Sequence, residues 1–252
     1  MANWQDPRIA TDRSGGVNAA ATVGVPRAAR DAGLRSYMLS VYNYMASGVL
    51  LTGIVAMLFA PYAREVLISA SGQGMSPIGW IVMLSPLAIV FAMSFGMNRM
   101  ATGTLQILFW AFAALMGLSM STLFLAYTGV SIAQTFFATA AAYVALSLWG
   151  YTTKRDLSGF GTFLIMGVVG ILVAMLINMF LQSSAMALGI SAIGVLLFAG
   201  LTAYDTQRIK SMYFYVQGTE MAGKTVIMGA LQLYLDFINM FQFLLSFMGN
   251  RR

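Results

Sequence analysis

From residue 36 onward, the chain is an almost unbroken series of apolar blocks bounded by glycine, polar or basic residues. A helix needs about 20 apolar residues to cross a hydrocarbon core roughly 30 Å thick, and every block reaches that length. The pattern therefore predicts seven transmembrane helices, at residues 36–60, 77–97, 101–127, 131–153, 161–182, 185–216 and 225–249. We expect an all-α integral membrane protein, a seven-helix bundle.

The first 35 residues follow another pattern. They hold five arginines among Gly, Ala, Ser, Thr and Pro, with no apolar run. We interpret residues 1–35 as a flexible, basic cytoplasmic tail and residues 36–252 as the seven-helix transmembrane domain. The block at 36–60 is too long for the core of a signal peptide, so it is interpreted as a retained helix that ends at Pro61.

Composition and charge support a membrane protein and predict its orientation. Only 9% of the residues are charged and 59% are hydrophobic, whereas a soluble domain carries roughly a quarter charged residues. With a cytoplasmic N-terminus, eleven of the 14 basic residues fall on the cytoplasmic side, as the positive-inside rule expects. Arg251 and Arg252 would then lie outside, a conflict that a re-entrant last segment would remove. Scattered basic residues of this kind do not indicate nucleic acid.

Two aspartates, Asp205 and Asp236, fall inside predicted spans, whereas the other six acidic residues lie in the tail or loops. An ionisable group inside a membrane costs several kcal/mol and typically faces a cavity or a partner. The turn between the last two helices is predicted near residues 217–224. Each aspartate then lies about eleven residues from it, or roughly 16 Å at 1.5 Å per residue. Equal depth on antiparallel neighbours allows the carboxylates to meet.

The pair is predicted to lie in a polar seam between these helices, with Thr202, Thr206, Gln232 and Asn239 as its other members. Two carboxylates held close cannot both ionise cheaply, so the pair can share a proton and act as a switch. When both are charged, they suit a hard cation, calcium above all. The chain has no cysteine and no histidine, which removes zinc sites built from imidazole or sulfur. We expect no cofactor other than a calcium ion. In a purely structural alternative, Asp205 pairs with Arg208 and Asp236 only joins helices.

Two segments resemble a known family. Gly-Leu-Thr-Ala-Tyr-Asp-Thr-Gln-Arg-Ile-Lys at 200–210 and Ala-Leu-Gln-Leu-Tyr-Leu-Asp-Phe-Ile-Asn-Met-Phe-Gln-Phe-Leu-Leu at 230–245 are similar to the last two helices of the transmembrane Bax inhibitor motif family, in its bacterial branch. The resemblance implies a bacterial inner-membrane protein with six helices around a central seventh, and a pH-sensitive calcium leak. The family's paired sensor corresponds to Asp205 and Asp236, and its latch arginine to Arg99.

Four functions remain open at this point. The leading one is a pH-gated calcium or cation leak; a proton-coupled carrier could use the same aspartates as a relay. A regulator that carries no ions could instead modulate a membrane partner, such as the membrane-bound protease associated with some bacterial relatives. An intramembrane aspartyl protease is disfavoured because the Gly-x-Gly-Asp signature is missing before Asp236. We therefore expect no enzyme activity.

Overall fold

The structure, a computed structural model, describes residues 27–71 and 74–251. These residues form eight α-helices: α1 (Arg27–Leu67), α2 (Pro77–Gly96), α3 (Thr102–Met120), α4 (Leu123–Ala126), α5 (Gly129–Thr152), α6 (Ser158–Leu181), α7 (Ser184–Val216) and α8 (Met221–Met248). The single turn α4 continues α3 after a short break, so seven segments are long and apolar enough to cross a membrane. The predicted fold class is confirmed.

Helix α1 departs most from the prediction. It begins at Arg27 rather than at residue 36, because the intervening stretch is rich in alanine and arginine, which are strong helix formers. It also continues past Pro61 to Leu67, where the predicted end at Pro61 was wrong. Ala63 and Leu67 are fully buried beyond the proline, and this packing offsets the backbone hydrogen bond that Pro61 cannot make. Residues 1–26, the rest of the predicted flexible tail, lie outside the described residues.

Helix α8 occupies the centre of the bundle. In its most apolar stretch 67% of the residues are buried, against 39% or less in each of the other six spans that the structure describes. Its neighbours are α1, α3, α5 and α7. It runs unbroken from Met221 to Met248, which does not fit a re-entrant last segment. The implied arrangement, with the last helix central, is confirmed.

The connections gather at two ends of the bundle. The end that carries Arg99, Lys154, Arg155, Arg208, Lys210 and Lys224 is called the basic end here. At this end the Gln207 side chain of α7 accepts a hydrogen bond from the Leu157 amide (2.9 Å) and donates one to the Arg155 carbonyl (2.8 Å). Lys210 donates to the Tyr151 carbonyl (2.7 Å). These bonds tie the α5–α6 loop to α7. The cytoplasmic placement of this end stays a prediction.

A glycine sets how closely α5 approaches α7. A Cβ atom at Gly150 would collide with the backbone of Ala203, so the two helices can touch there only because the side chain is absent. Ala203 lies two positions before Asp205 on the same helix. The contact therefore fixes α5 beside the aspartates.

Candidate functional site

Asp205 and Asp236 come together at the core of the bundle. Asp205 lies on α7 and Asp236 on α8, on either side of the turn that joins these helices. Only 3% of Asp205 and 4% of Asp236 is exposed. The two carboxyl groups are neighbours that act on each other electrostatically, and Asp236 Oδ2 has no hydrogen-bond partner. Two carboxylates can be this close only if they share a proton or a cation lies between them.

Arg208 does not neutralise the pair. Its positive charge acts on Asp205 one turn away, but its side chain is exposed, whereas Asp205 is buried, and the two form no ion pair. The predicted alternative, a structural Asp205–Arg208 pair, is therefore not what the structure shows. Gln232 of α8 is the uncharged side chain that lies beside Asp205.

The other members of the predicted seam divide into two groups. Thr202 and Asn239 are satisfied within their own helices, since Thr202 donates to the Phe198 carbonyl (2.8 Å) and Asn239 to the Leu235 carbonyl (2.8 Å). Thr206 is fully buried, and its hydroxyl has no hydrogen-bond partner. The seam around the pair is therefore narrower than predicted, with Gln232 and Thr206 as its members.

The sequence analysis missed Tyr143 of α5. Its hydroxyl donates to the Leu233 carbonyl of α8 (3.3 Å). Both aspartates are close enough to act electrostatically on this hydroxyl. Tyr143 belongs to a set of buried side chains that recur every four residues along α5, called here the hydroxyl stripe: Ser131, Thr135, Thr139, Tyr143 and Ser147. This spacing places one side chain per helical turn on a single face, and it was visible in the sequence.

Among the described residues, four buried side-chain oxygen atoms have no hydrogen-bond partner, and one of them is an oxygen of Asp236. Within residues 27–71 and 74–251, the buried side-chain polar atoms that lack a hydrogen bond are Tyr37 Oη, Ser147 Oγ, Thr206 Oγ1 and Asp236 Oδ2. Nearly all buried polar groups in proteins are paired, so each exception calls for an explanation. Asp236 Oδ2 and Thr206 Oγ1 are the two of these atoms that belong to the pair and its seam, and each could still accept or donate one hydrogen bond.

Calcium takes six to eight oxygen ligands. No group of three or more acidic side chains that could hold a metal ion occurs in the part of the chain that the structure describes. At this site, Asp205 and Asp236 could supply carboxylate oxygens, and hydroxyl, carbonyl and water oxygens would have to complete the shell. Such a set suits brief coordination of a passing ion. The predicted calcium-binding role of the pair stays a prediction.

Arg99 lies apart from the pair. It is exposed in the turn between α2 and α3, where its amide donates to the Gly96 carbonyl (2.9 Å). Arg99 is not among the charged groups that act on Asp205 or Asp236. The structure therefore does not bring the predicted latch to the sensor, and the latch role stays a prediction.

Seven spans around a buried carboxylate pair define a polytopic membrane protein with a polar centre. The family profile described as "Inhibitor of apoptosis-promoting Bax1" matches residues 34–252. The chain belongs to this Bax inhibitor-1-like family, as the two motifs had indicated.

The relatives are bacterial. The chain is 48% identical over 222 residues to an uncharacterized protein of Rickettsia prowazekii, covering 88% of this chain and 92% of the relative. It is 45% identical over 223 residues to the inner membrane protein YbhL of Escherichia coli K12, covering 88% and 94%. An uncharacterized protein of Caulobacter vibrioides is 45% identical over 229 residues, covering 88% and 91%. The similarity thus extends through nearly the whole of each protein.

Proposed function

We propose that this protein is a channel of the bacterial inner membrane that lets cations, calcium above all, leak through the bundle under control of pH. The observation that carries the proposal is the contact between Asp205 and Asp236 at the buried centre of the fold. Membership of the family and the name of the Escherichia coli relative support the inner membrane as its location. The proposal assigns no enzymatic step to the pair.

The pair supplies the pH response. With a shared proton, the two carboxyl groups can hydrogen-bond and hold α7 against α8. When the proton leaves, two negative charges repel each other and attract a cation. Flux is therefore expected to rise as the pH rises through the titration of the pair.

The hydroxyl stripe supports a path that leads to the pair. Its first member, Ser131, accepts a hydrogen bond from the Asn250 amide (2.9 Å) at the end opposite the basic end. From Ser131 to Ser147 the stripe is about 24 Å long at 1.5 Å per residue. Hydroxyl and carbonyl oxygens can replace part of the hydration shell of an ion in transit. In the closed arrangement these side chains are buried against the bundle.

The orientation is part of the proposal. The basic end would face the cytoplasm, since basic residues concentrate on that side of inner-membrane proteins. Arg64 and Arg251 lie at the opposite end, where Arg251 is 6.0 Å from the centre of the Tyr127 ring.

The test is calcium influx into proteoliposomes, scanned from about pH 5 to pH 8, the range over which a shared proton of the pair can titrate. Wild type is compared with Asp205→Asn and Asp236→Asn, which remove one charge each without changing size. Asp156→Asn is the matched control, because Asp156 is an exposed loop aspartate. We expect the wild type and the control to share one pH profile, and both pair variants to lose the pH dependence.

Two results would count against the proposal. If all four proteins respond to pH alike, the pair is not the sensor. If folded wild type carries no more calcium than empty vesicles, the protein is not a leak, and the alternative of a regulator that modulates a membrane partner takes its place.

A further inference from the structure

A deep cleft separates α1 from α5. Both helices pack against α8, but between them they leave a cavity of about 810 Å³. Its lining is almost entirely apolar, with Phe237 of α8 among the lining residues and the remaining residues on α1 and α5. This space is called the α1–α5 cleft. The cleft is open on one side, where Leu50 and Leu148 are exposed. Lipid tails are as apolar as these side chains, so they can fill the opening.

A polar groove continues the cleft at the basic end. This second cavity, of about 560 Å³, is lined by Asp31, Ala32, Ser36, Ser40 and Asn43. It shares Arg35 and Leu39 with the α1–α5 cleft, so the two spaces adjoin. One continuous surface is therefore charged and hydrogen-bonding at one end and apolar along the rest.

The length of the cleft is close to the thickness of one leaflet of the bilayer. Its lining on α1 runs from Arg35 to Leu50, which is about 22 Å at 1.5 Å per residue. A bilayer is about 40–45 Å thick including its headgroups, so one leaflet accounts for about half of that. A lipid molecule that lay in the cleft would have its headgroup in the polar groove and its chain end near Phe136.

A buried hydroxyl lies one turn below the groove. Ser147 lines the cleft and is only 4% exposed, and its Oγ lies near the Tyr143 hydroxyl without a hydrogen bond of acceptable geometry. It lies one turn deeper than Tyr151, at the depth where the ester groups of a phospholipid begin its chains. An ester carbonyl there would accept a hydrogen bond from the Ser147 hydroxyl. The cost of an unpaired buried donor would thereby be removed.

We infer that the α1–α5 cleft binds one phospholipid whose headgroup carries a primary ammonium, such as phosphatidylethanolamine. The Arg35 guanidinium matches the phosphate, and the Asp31 carboxylate one turn earlier matches the ammonium. A headgroup with a phosphate alone would leave Asp31 facing a negative charge. A quaternary ammonium could not donate a hydrogen bond to it. The inference does not rest on ion flux, although Tyr143 and Ser147 belong to both the hydroxyl stripe and the cleft lining.

The experiment measures lipid retention by native mass spectrometry. The purified, delipidated protein is mixed in turn with phosphatidylethanolamine, phosphatidylglycerol and phosphatidylcholine that carry identical acyl chains. We expect one phosphatidylethanolamine per protein to be retained in preference to the other two. Arg35→Gln should weaken retention of this lipid about tenfold, the loss of one charge-assisted contact. Asp31→Asn should reduce retention of phosphatidylethanolamine to the level of phosphatidylglycerol.

Two further variants test the cleft itself. Ala140→Trp places a large ring in the cleft and should abolish retention. Val173→Trp adds the same ring to the outer surface of α6, where half of the side chain is exposed, and should leave retention unchanged. Arg64→Gln, at the opposite end, is the control for loss of an arginine. Asp31 and Arg35 are exposed, so their variants test the headgroup site even if Ala140→Trp does not fold.

Several outcomes would overturn the inference. Equal retention of all three lipids would show nonspecific adsorption. Equal retention by Ala140→Trp and Val173→Trp would place the lipid elsewhere. Two further results would show that Asp31 and Arg35 do not select a zwitterionic headgroup. One is tighter binding of phosphatidylglycerol, and the other is displacement of phosphatidylethanolamine by a free fatty acid.

Discussion

In soluble proteins the more apolar helix is usually the more buried one. Helices α6 and α8 show the opposite relation. The most apolar stretch of α6 has a mean hydropathy of 2.6, yet only 11% of its residues are buried. The corresponding stretch of α8 has a mean hydropathy of 1.3 and is 67% buried. Lipid chains are as apolar as a protein core, so apolar side chains gain nothing by turning inward. Polar side chains do gain, and α8 buries Asp236 among its neighbours. Hydropathy alone does not make a helix central, since the span of α5 has a mean hydropathy of 1.4 and is only 22% buried.

The two helices also differ in how they are held. Within the described residues, α6 packs chiefly on α7, whereas α8 packs on α1, α3, α5 and α7. A substitution in α8 should therefore disturb four partners, and one in α6 a single partner.

Tyr234→Ala should be the most destabilising change. Tyr234 is fully buried, its ring lies edge-on to those of Phe109 (6.4 Å) and Phe112 (5.0 Å), and its hydroxyl bonds Thr52 (2.7 Å). Truncating such a ring costs about 3–5 kcal/mol. Phe180→Ala on α6, where 80% of the side chain is exposed, should change stability by less than about 0.5 kcal/mol. Unfolding in mixed micelles with rising SDS measures both, and equal losses would contradict the comparison.

Gly161→Val should destabilise the protein although Gly161 lies on α6, where most substitutions should have small effects. A Cβ at Gly161 would collide with the Tyr204 ring of α7, next to Asp205 in the sequence. Overpacking of this kind costs about 1–3 kcal/mol. Gly170→Val is the control, since no atom lies within 4 Å of a Cβ there. The same unfolding assay separates them, and a loss at Gly170 as large as that at Gly161 would show that α6 has a second buried face.

Thr52→Val should have an intermediate effect. Thr52 of α1 donates to the Ala113 carbonyl of α3 (2.8 Å) and bonds the Tyr234 hydroxyl of α8, so it links three helices. Valine keeps the shape but leaves the Tyr234 hydroxyl unpaired, at a cost of about 1 kcal/mol. Thr162→Val on α6 is the matched control, because Thr162 is exposed. No difference between the two would mean that this bond does not hold α8.

Asp156→Asn should have the smallest effect. Asp156 accepts a hydrogen bond from the Ser158 amide (2.9 Å) at the start of α6, and this contact lowers the pKa of its carboxyl below the ordinary value of 3.8. The contact therefore stabilises this turn at neutral pH, and the stabilisation is lost as the pH falls below 3.8. Hydrogen exchange at the Ser158 amide should accelerate, relative to the neighbouring amides, on acidification. The asparagine variant should lack that response, and an unchanged response would point to another group.

The spans and the depth of the aspartates could be predicted from the sequence, because both follow from the number of residues in each segment. Apolar runs have to match the hydrocarbon thickness, and counting residues from the α7–α8 turn placed Asp205 and Asp236 level with each other. The continuation of α1 past Pro61 was not accessible, because it depends on the burial of Ala63 and Leu67.

The rest of the site depends on which faces meet. Nothing near Tyr143 in the sequence shows that its hydroxyl reaches α8, although the four-residue spacing of the hydroxyl stripe could have identified its face. Apolar periodicity is weak where lipid surrounds the bundle, so it does not show which helix is central. The central position of α8 was implied by the resemblance to the family, and the α1–α5 cleft was not foreseen at all.

The central position of α8 also constrains the biogenesis of the chain. Its span has the lowest mean hydropathy of the seven that the structure describes, and it is the last to leave the ribosome. On entering lipid alone it would expose Asp236 to hydrocarbon, so its insertion has to be coupled to association with the helices already in place. Truncation before Met221 would leave these helices around an unfilled centre. Closure of the bundle therefore has to wait for α8, and the six spans that precede it have no complete interior of their own.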